Sequence, residues 1–164
     1  MSFSKQRLSP ARRFCANYDP GLFIEVEDDL VDITVRIRLR DERYFLSIGR
    51  NEAEGAYVAS NMESKGTWTR EAGIGTLVVN TALQYLRSLA DEDLQYVQGF
   101  LYPSHDDPLP DQRHRIDFAA RFGARATGEG ANFRVRLADL TLVPAIIDGV
   151  YPTIIPWSEF QPCP

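Results

Sequence analysis

The chain has 164 residues, of which 44% are hydrophobic and 25% charged, and its formal net charge is −5. That size suits one domain, residues 1–164, with a real hydrophobic core. The acidic balance gives no electrostatic support for a nucleic-acid or anionic-membrane partner.

The N-terminal stretch MSFSKQRLSPARRF has no apolar run of the signal-peptide kind. Residues 1–19 are basic and polar and read either as a loose arm or as a short helix around Pro10–Cys15. Four strand-like runs follow: Leu22–Glu27, Val31–Arg40, Tyr44–Gly49 and Ala56–Glu63. The second is the clearest. Val31, Ile33, Val35, Ile37 and Leu39 share one face, and Thr34, Arg36, Arg38 and Arg40 share the other, the two-residue period of a half-buried strand. Short connections predict an antiparallel meander.

The period then changes. Ile74, Leu77, Val78, Ala82, Tyr85, Leu86 and Leu89 recur at three and four residues and predict a helix from about Gly73 to Ala90. Tyr96–Tyr102 reads as a buried strand, Pro103–Pro110 as a loop and Gln112–Arg121 as a second helix. Ala124–Thr127 and Asn132–Leu137 read as a hairpin across Gly128-Glu129-Gly130. The apolar tail from Leu140 is broken by Pro144, Asp148, Pro152 and Pro156, so it predicts an extended cover over the core and not a membrane helix. The expected fold class is α/β (α+β), a mixed, mostly antiparallel central sheet flanked by helices, with one parallel crossover. The expected compartment is the cytoplasm. Cys15 and Cys163 form neither a CxxC motif nor a metal-ligand spacing. A disulfide joining the termini is one reading; two thiols in a reducing compartment is the preferred one.

Arg70-Glu71-Ala72-Gly73-Ile74-Gly75-Thr76 lies between a strand and the start of the amphipathic helix. First-turn amides lack internal partners, the helix dipole is positive there, and two glycines let a phosphate approach the backbone. No Gly-Lys-Ser/Thr follows, which excludes a Walker A loop, and the third glycine of a dinucleotide-binding loop is missing.

This string resembles the acyl-CoA signature of the GCN5-related N-acetyltransferase (GNAT) family, Gln/Arg-x-x-Gly-x-Gly/Ala. Gln112–Ala124 is similar to that family's late helix, with Phe118 and Gly123 in place. The resemblance spans roughly residues 56–137. It implies acetyl-CoA as acyl donor, with the pyrophosphate on the backbone of Ala72, Gly73, Ile74, Gly75 and Thr76. Arg70 and Gln112, the latter where the family commonly has Asn, also fall to the cofactor. It implies a small-molecule or protein amine as acceptor and a homodimer as a common state, with no metal, nucleic acid or membrane. Ala119 stands where the family often has its tyrosine general acid. Acid or base work therefore falls to Tyr102, Ser104 or His105 after the central strand, and to Glu63 at the end of the fourth strand. The expected activity is N-acyl transfer from acetyl-CoA. The alternatives are a GNAT-like acyl-CoA-binding or interaction module without catalysis, and an unrelated fold with a coincidental glycine turn. Arg36, Arg38 and Arg40 form a basic stripe that reads first as an outward strand face.

Overall fold

The computed structural model describes residues 11–18, 21–65, 73–100, 117–125 and 132–164, with side chains for all of these except 60–65, 100 and 132. Five strands come first: β1 Arg12–Tyr18, β2 Leu22–Asp28, β3 Asp32–Leu39, β4 Glu42–Asn51 and β5 Ala56–Lys65. Helix α1, Ile74–Leu89, leads to β6, Tyr96–Phe100. After a helical stretch over 117–121 come β7, Asn132–Arg136, and the short strands β8, Ile146–Ile147, β9, Tyr151–Pro152, and β10, Gln161–Pro162.

Eight of these strands form one sheet in the order β10-β1-β2-β3-β4-β5-β6-β7. Every neighbouring pair is antiparallel except β5 and β6. The alternation read in the sequence sets the two faces. Ile24 and Val26 on β2, Ile33, Val35 and Ile37 on β3, and Tyr44, Leu46 and Ile48 on β4 are all buried. Against them α1 lays Leu77, Val78, Leu86 and Tyr85, so one apolar helical stripe closes the core on one side of the sheet. The other side carries Arg36 and Arg38 on β3 and Arg43 on β4, all exposed, as expected for an antiparallel sheet wet on one face.

A helix-flanked GNAT-type α/β fold is not what forms. The molecule is mainly this eight-stranded sheet, and among the described residues α1 and the stretch over 117–121 are its α-helical parts. β2 and β3 join through a short turn at 29–31. Arg12–Tyr18, within the stretch read as an arm or a short helix, forms strand β1. The cause is pairing: all seven residues of β1 match β2, from Arg12↔Asp28 to Tyr18↔Leu22, and Phe14 and Ala16 turn to the core side. β7 pairs with β6, where Gly99 faces Phe133, and residues 126–131 of the hairpin expected between Ala124–Thr127 and β7 lie outside the described residues. The Phe133 ring lies so close that a methyl group at Gly99 would sit 2.5 Å from it, which is why the position has no side chain.

The tail crosses α1 and is fixed by polar side chains of that helix. Asn80 donates to the carbonyls of Val143 and Thr153, at 2.9 and 2.8 Å, and accepts from the Val143 amide at 2.9 Å. Gln84 donates to Ile155 O at 2.9 Å and accepts from Trp157 N at 3.1 Å. Arg87 donates to Leu140 O. These three residues sit four and three apart, one face of the helix. The indole of Trp157 then stacks on Phe160 and meets Phe14 and Tyr85, all with centroids within 5.3 Å. At its end the tail adds β10 beside β1, and Cys163 is disulfide-bonded to Cys15, 148 residues earlier. This departs from the free thiols preferred on sequence grounds. The register of β10 on β1 brings the two Cα atoms to 5.1 Å, bridging distance. Among the described residues no helix is long and apolar enough to cross a membrane.

Candidate functional site

The parallel step from β5 to β6 places the site. Tyr96 N donates to Gly55 O at 3.2 Å, which sets the end of α1 beside the start of β5. The 16 residues of α1 run back over about 24 Å, so its N-terminus lies toward the carboxyl end of β5. At that end the pairing of β5 with β4 runs on to Lys65. The register with β4 also shifts between Ser47↔Asn61 and Ile48↔Ala59, which makes Ser60 the extra residue of a β-bulge. The bulge and the helix N-terminus thus lie toward the same end of the sheet. The crevice outside the carboxyl ends of parallel strands is where open sheets that contain them bind ligands.

Gly73 begins the helix with φ +74°, in the left-handed region that suits glycine. Its carbonyl accepts from Leu77 N at 3.1 Å. The first turn has no side-chain cap and no acidic residue. Ile74 and Thr76 are buried, whereas Gly73 and Gly75 are half-buried. The tail closes one side of this turn: a methyl group at Gly73 would lie 3.3 Å from Ile147 Cγ1 and 3.6 Å from Thr153 Cγ2. The helix start is thus uncapped and partly positive.

Of the residues read as a site in the sequence, Gly73, Ile74, Gly75 and Thr76 come together in this turn. Glu63 lies on β5 beyond the bulge, in register with Phe45. Arg70, Ala72, Tyr102, Ser104, His105 and Gln112 lie outside the described residues. Ala119 is buried in the core, so this position brings no proton donor to any site.

A second polar cluster, at the opposite end of α1, went unread in the sequence. Asp28, buried at the end of β2, accepts from both guanidinium nitrogens of Arg50 at 2.8 Å, from the Tyr85 hydroxyl and from Leu30 N at 3.0 Å. Burial pushes the Asp28 carboxyl up, but the bonds from Arg50, Tyr85 and Leu30 outweigh it and hold the group below the usual carboxylate range. Burial, then the Asp28 bond, pushes the Tyr85 hydroxyl far up. Nearby, the buried Tyr57 hydroxyl has no hydrogen-bond partner among the described residues. The cluster converges from β2, β4 and α1 with no spacing that a linear sequence displays. Being internally neutralised, it serves structure.

Cys15, Cys163 and Glu25 place potential metal-ligand atoms within 4.8 Å of one another. The sulfurs are bonded to each other, and the Glu25 oxygens are occupied by Arg13 and Arg36, so the trio does not make a cation site.

Compared with known proteins, the chain matches no protein-family model, and no curated protein or solved structure matches it either.

Proposed function

We propose that this protein binds acetyl-CoA with the pyrophosphate on the first-turn amides of α1 and transfers the acetyl group to an amine. The observation that carries the reading is the uncapped helix start at Gly73–Thr76, with no acidic residue in its first turn and toward the bulged end of β5. An anion there gains from the helix dipole and from unpartnered amides. Transfer joins the amine nitrogen to the thioester carbon and breaks the carbon–sulfur bond. The amine gives up a proton to a base, and the leaving thiolate takes one from an acid. Glu63 is the base in this reading, and Tyr102 or His105 the acid, with Arg70 and Gln112 assisting the donor. Calorimetry with CoA and acetyl-CoA tests the donor site, and turnover with a panel of amines tests the transfer. Binding lost in Gly75→Glu is the expected result; no heat at millimolar ligand ends the proposal.

A second reading, acyl-CoA binding without turnover, is favoured by two facts. Ile147 and Thr153 lie against Gly73, and the buried Ala119 carries no hydroxyl. Saturable CoA binding with no turnover of any amine separates it from the first. The proposed compartment is the cytoplasm, because the donor is an acyl-CoA. Alkylation of the protein in its host should then find Cys15 and Cys163 as thiols, since a reducing compartment opposes the bond seen in the structure.

A further inference from the structure

The tail is laid along α1 as a hairpin. Its outward limb passes Arg87, which donates to Leu140 O, and Asn80, which bonds Val143, and reaches the first turn, where Ile147 lies against Gly73. There β8 pairs with β9. The return limb passes Asn80 again at Thr153, and then Gln84 at Ile155 and Trp157. The limbs are clipped to each other. Thr153 Oγ1 donates to Val143 O and accepts from Ala145 N, each at 2.8 Å, and Thr153 N donates to Ala145 O at 3.0 Å. The hairpin is therefore one piece, with its tip on the turn at Gly73–Thr76.

Its two roots are held differently. At the first, Thr141 N donates to Phe122 O at 2.9 Å and the chain continues from the body of the fold. At the second, the Trp157 ring packs on Phe14, Tyr85 and Phe160, and β10 follows. β10 has two residues, and one is Pro162, which has no amide to donate. Beyond it Cys163 N donates to Arg13 O at 3.0 Å, and the Cys15–Cys163 bond completes the root. That bond makes a strap fixed at one end into a strap fixed at both. While it is closed, lifting the hairpin frees only a loop with tied ends, which gains little entropy.

The bond is open to exchange from one side. Cys15 is buried, whereas Cys163 is half-buried, so an attacking thiolate meets the Cys163 sulfur. The thiolate of a dithiol reductant breaks the sulfur–sulfur bond and forms a mixed disulfide with Cys163. Cys15 leaves as thiolate and takes a proton from water. The second thiol of the reductant, as thiolate, then displaces Cys163, which is protonated in turn. Two electrons pass to the protein, and the reductant ends as a disulfide.

We propose that the tail is a redox-latched strap over the first turn of α1: the Cys15–Cys163 bond holds it down, and reduction by a dithiol lets the hairpin lift and opens the turn to its ligand. The ligand half of this rests on the donor site proposed above; the latch does not.

Hydrogen exchange on the oxidised protein, the reduced protein and Cys163→Ser tests the latch. The amides of Val143, Thr153 and Trp157 should exchange about a hundredfold faster after reduction, the constraint that closing a loop of this kind removes. In the reduced protein they should exchange well ahead of those of β3. Cys163→Ser should match the reduced protein, and reductant should change nothing in it. Calorimetry with acetyl-CoA, on protein reduced and then freed of reductant, tests the cover. Binding should be about tenfold tighter than in the oxidised form, because the open state is more populated. Tail exchange unchanged by reduction overturns the latch. Equal acetyl-CoA affinity in the two forms overturns the cover over the turn. Faster tail exchange with no binding in either form supports the latch and ends the donor reading instead.

Discussion

Arg50 on β4 donates two parallel hydrogen bonds, each of 2.8 Å, to the carboxylate of Asp28, 22 residues earlier on β2. The Asp28 side chain is 1% exposed and that of Arg50 13%, so neither charge has water to fall back on. Removing one partner strands the other. Arg50→Ala should destabilise the protein by about 3–5 kcal/mol, while Asp28→Asn, which keeps the shape and sheds the charge, should cost less. Urea denaturation of the three proteins measures both.

The same cluster sets a pH window. The Asp28 carboxyl is lowered in the fold, so its stabilisation is fully present above the ordinary carboxylate value of about 4 and is lost as pH falls through the lowered folded value. Tyr85 is raised, chiefly by burial, so its stabilisation is full below about pH 10 and is lost as pH rises through the folded value. Melting temperature against pH should therefore fall at both ends. In Asp28→Asn the acid limb should be shallower, and in Tyr85→Phe the alkaline limb; an acid limb unchanged in Asp28→Asn would assign it to other carboxylates.

Asn80 is fully buried and its amide makes three hydrogen bonds to the tail. Asn80→Ala leaves the carbonyls of Val143 and Thr153 without that donor. At about 1 kcal/mol for each bond, the loss should be about 3 kcal/mol. Hydrogen exchange should localise it, with protection lost at Val143, whose amide bonds the Asn80 side chain, and not across β2–β4.

The Cys15–Cys163 bond closes almost the whole chain, with 148 residues of separation. In the loop-entropy account a closure of this length stabilises the fold by about 4–5 kcal/mol at most, and strain or residual structure lowers the yield. Against the oxidised protein, Cys163→Ser should thus lose about 2–5 kcal/mol in denaturant, with the largest local effect at β10, whose two residues have β1 as their neighbour.

Local patterns were legible, and pairings across the chain were not. The alternation in Ile33, Val35, Ile37 and Leu39 gave β3 and its buried face, and the three-and-four spacing of Leu77, Val78, Tyr85 and Leu86 gave α1, because both periods follow from backbone geometry alone. Strand β1 has no such period. Arg12 and Arg13 begin it and only pairing with β2 makes it a strand, so basic character hid it. The helix-flanked class was inferred from resemblance at Arg70–Thr76 and Gln112–Ala124, and two short segments do not determine how many strands an edge will add. At the site, Gly73 announced the helix start because its left-handed backbone suits glycine. Asp28, Arg50 and Tyr85 gave no signal, since they meet only through the sheet. Asn80, Gln84 and Arg87 did carry one: three polar residues on one face of an otherwise apolar helix mark a face that binds backbone.

The direct test of the acyl donor proposal is titration of the protein with CoA by calorimetry, beside Gly75→Glu, which sets a carboxylate in the first turn of α1, and Gly75→Ala, which adds only a methyl group. Saturable binding to the parent, abolished in Gly75→Glu and weakened far less in Gly75→Ala, is the predicted result. Equal binding by the parent and Gly75→Glu would place the ligand elsewhere, and no binding to the parent at millimolar CoA would contradict the account outright.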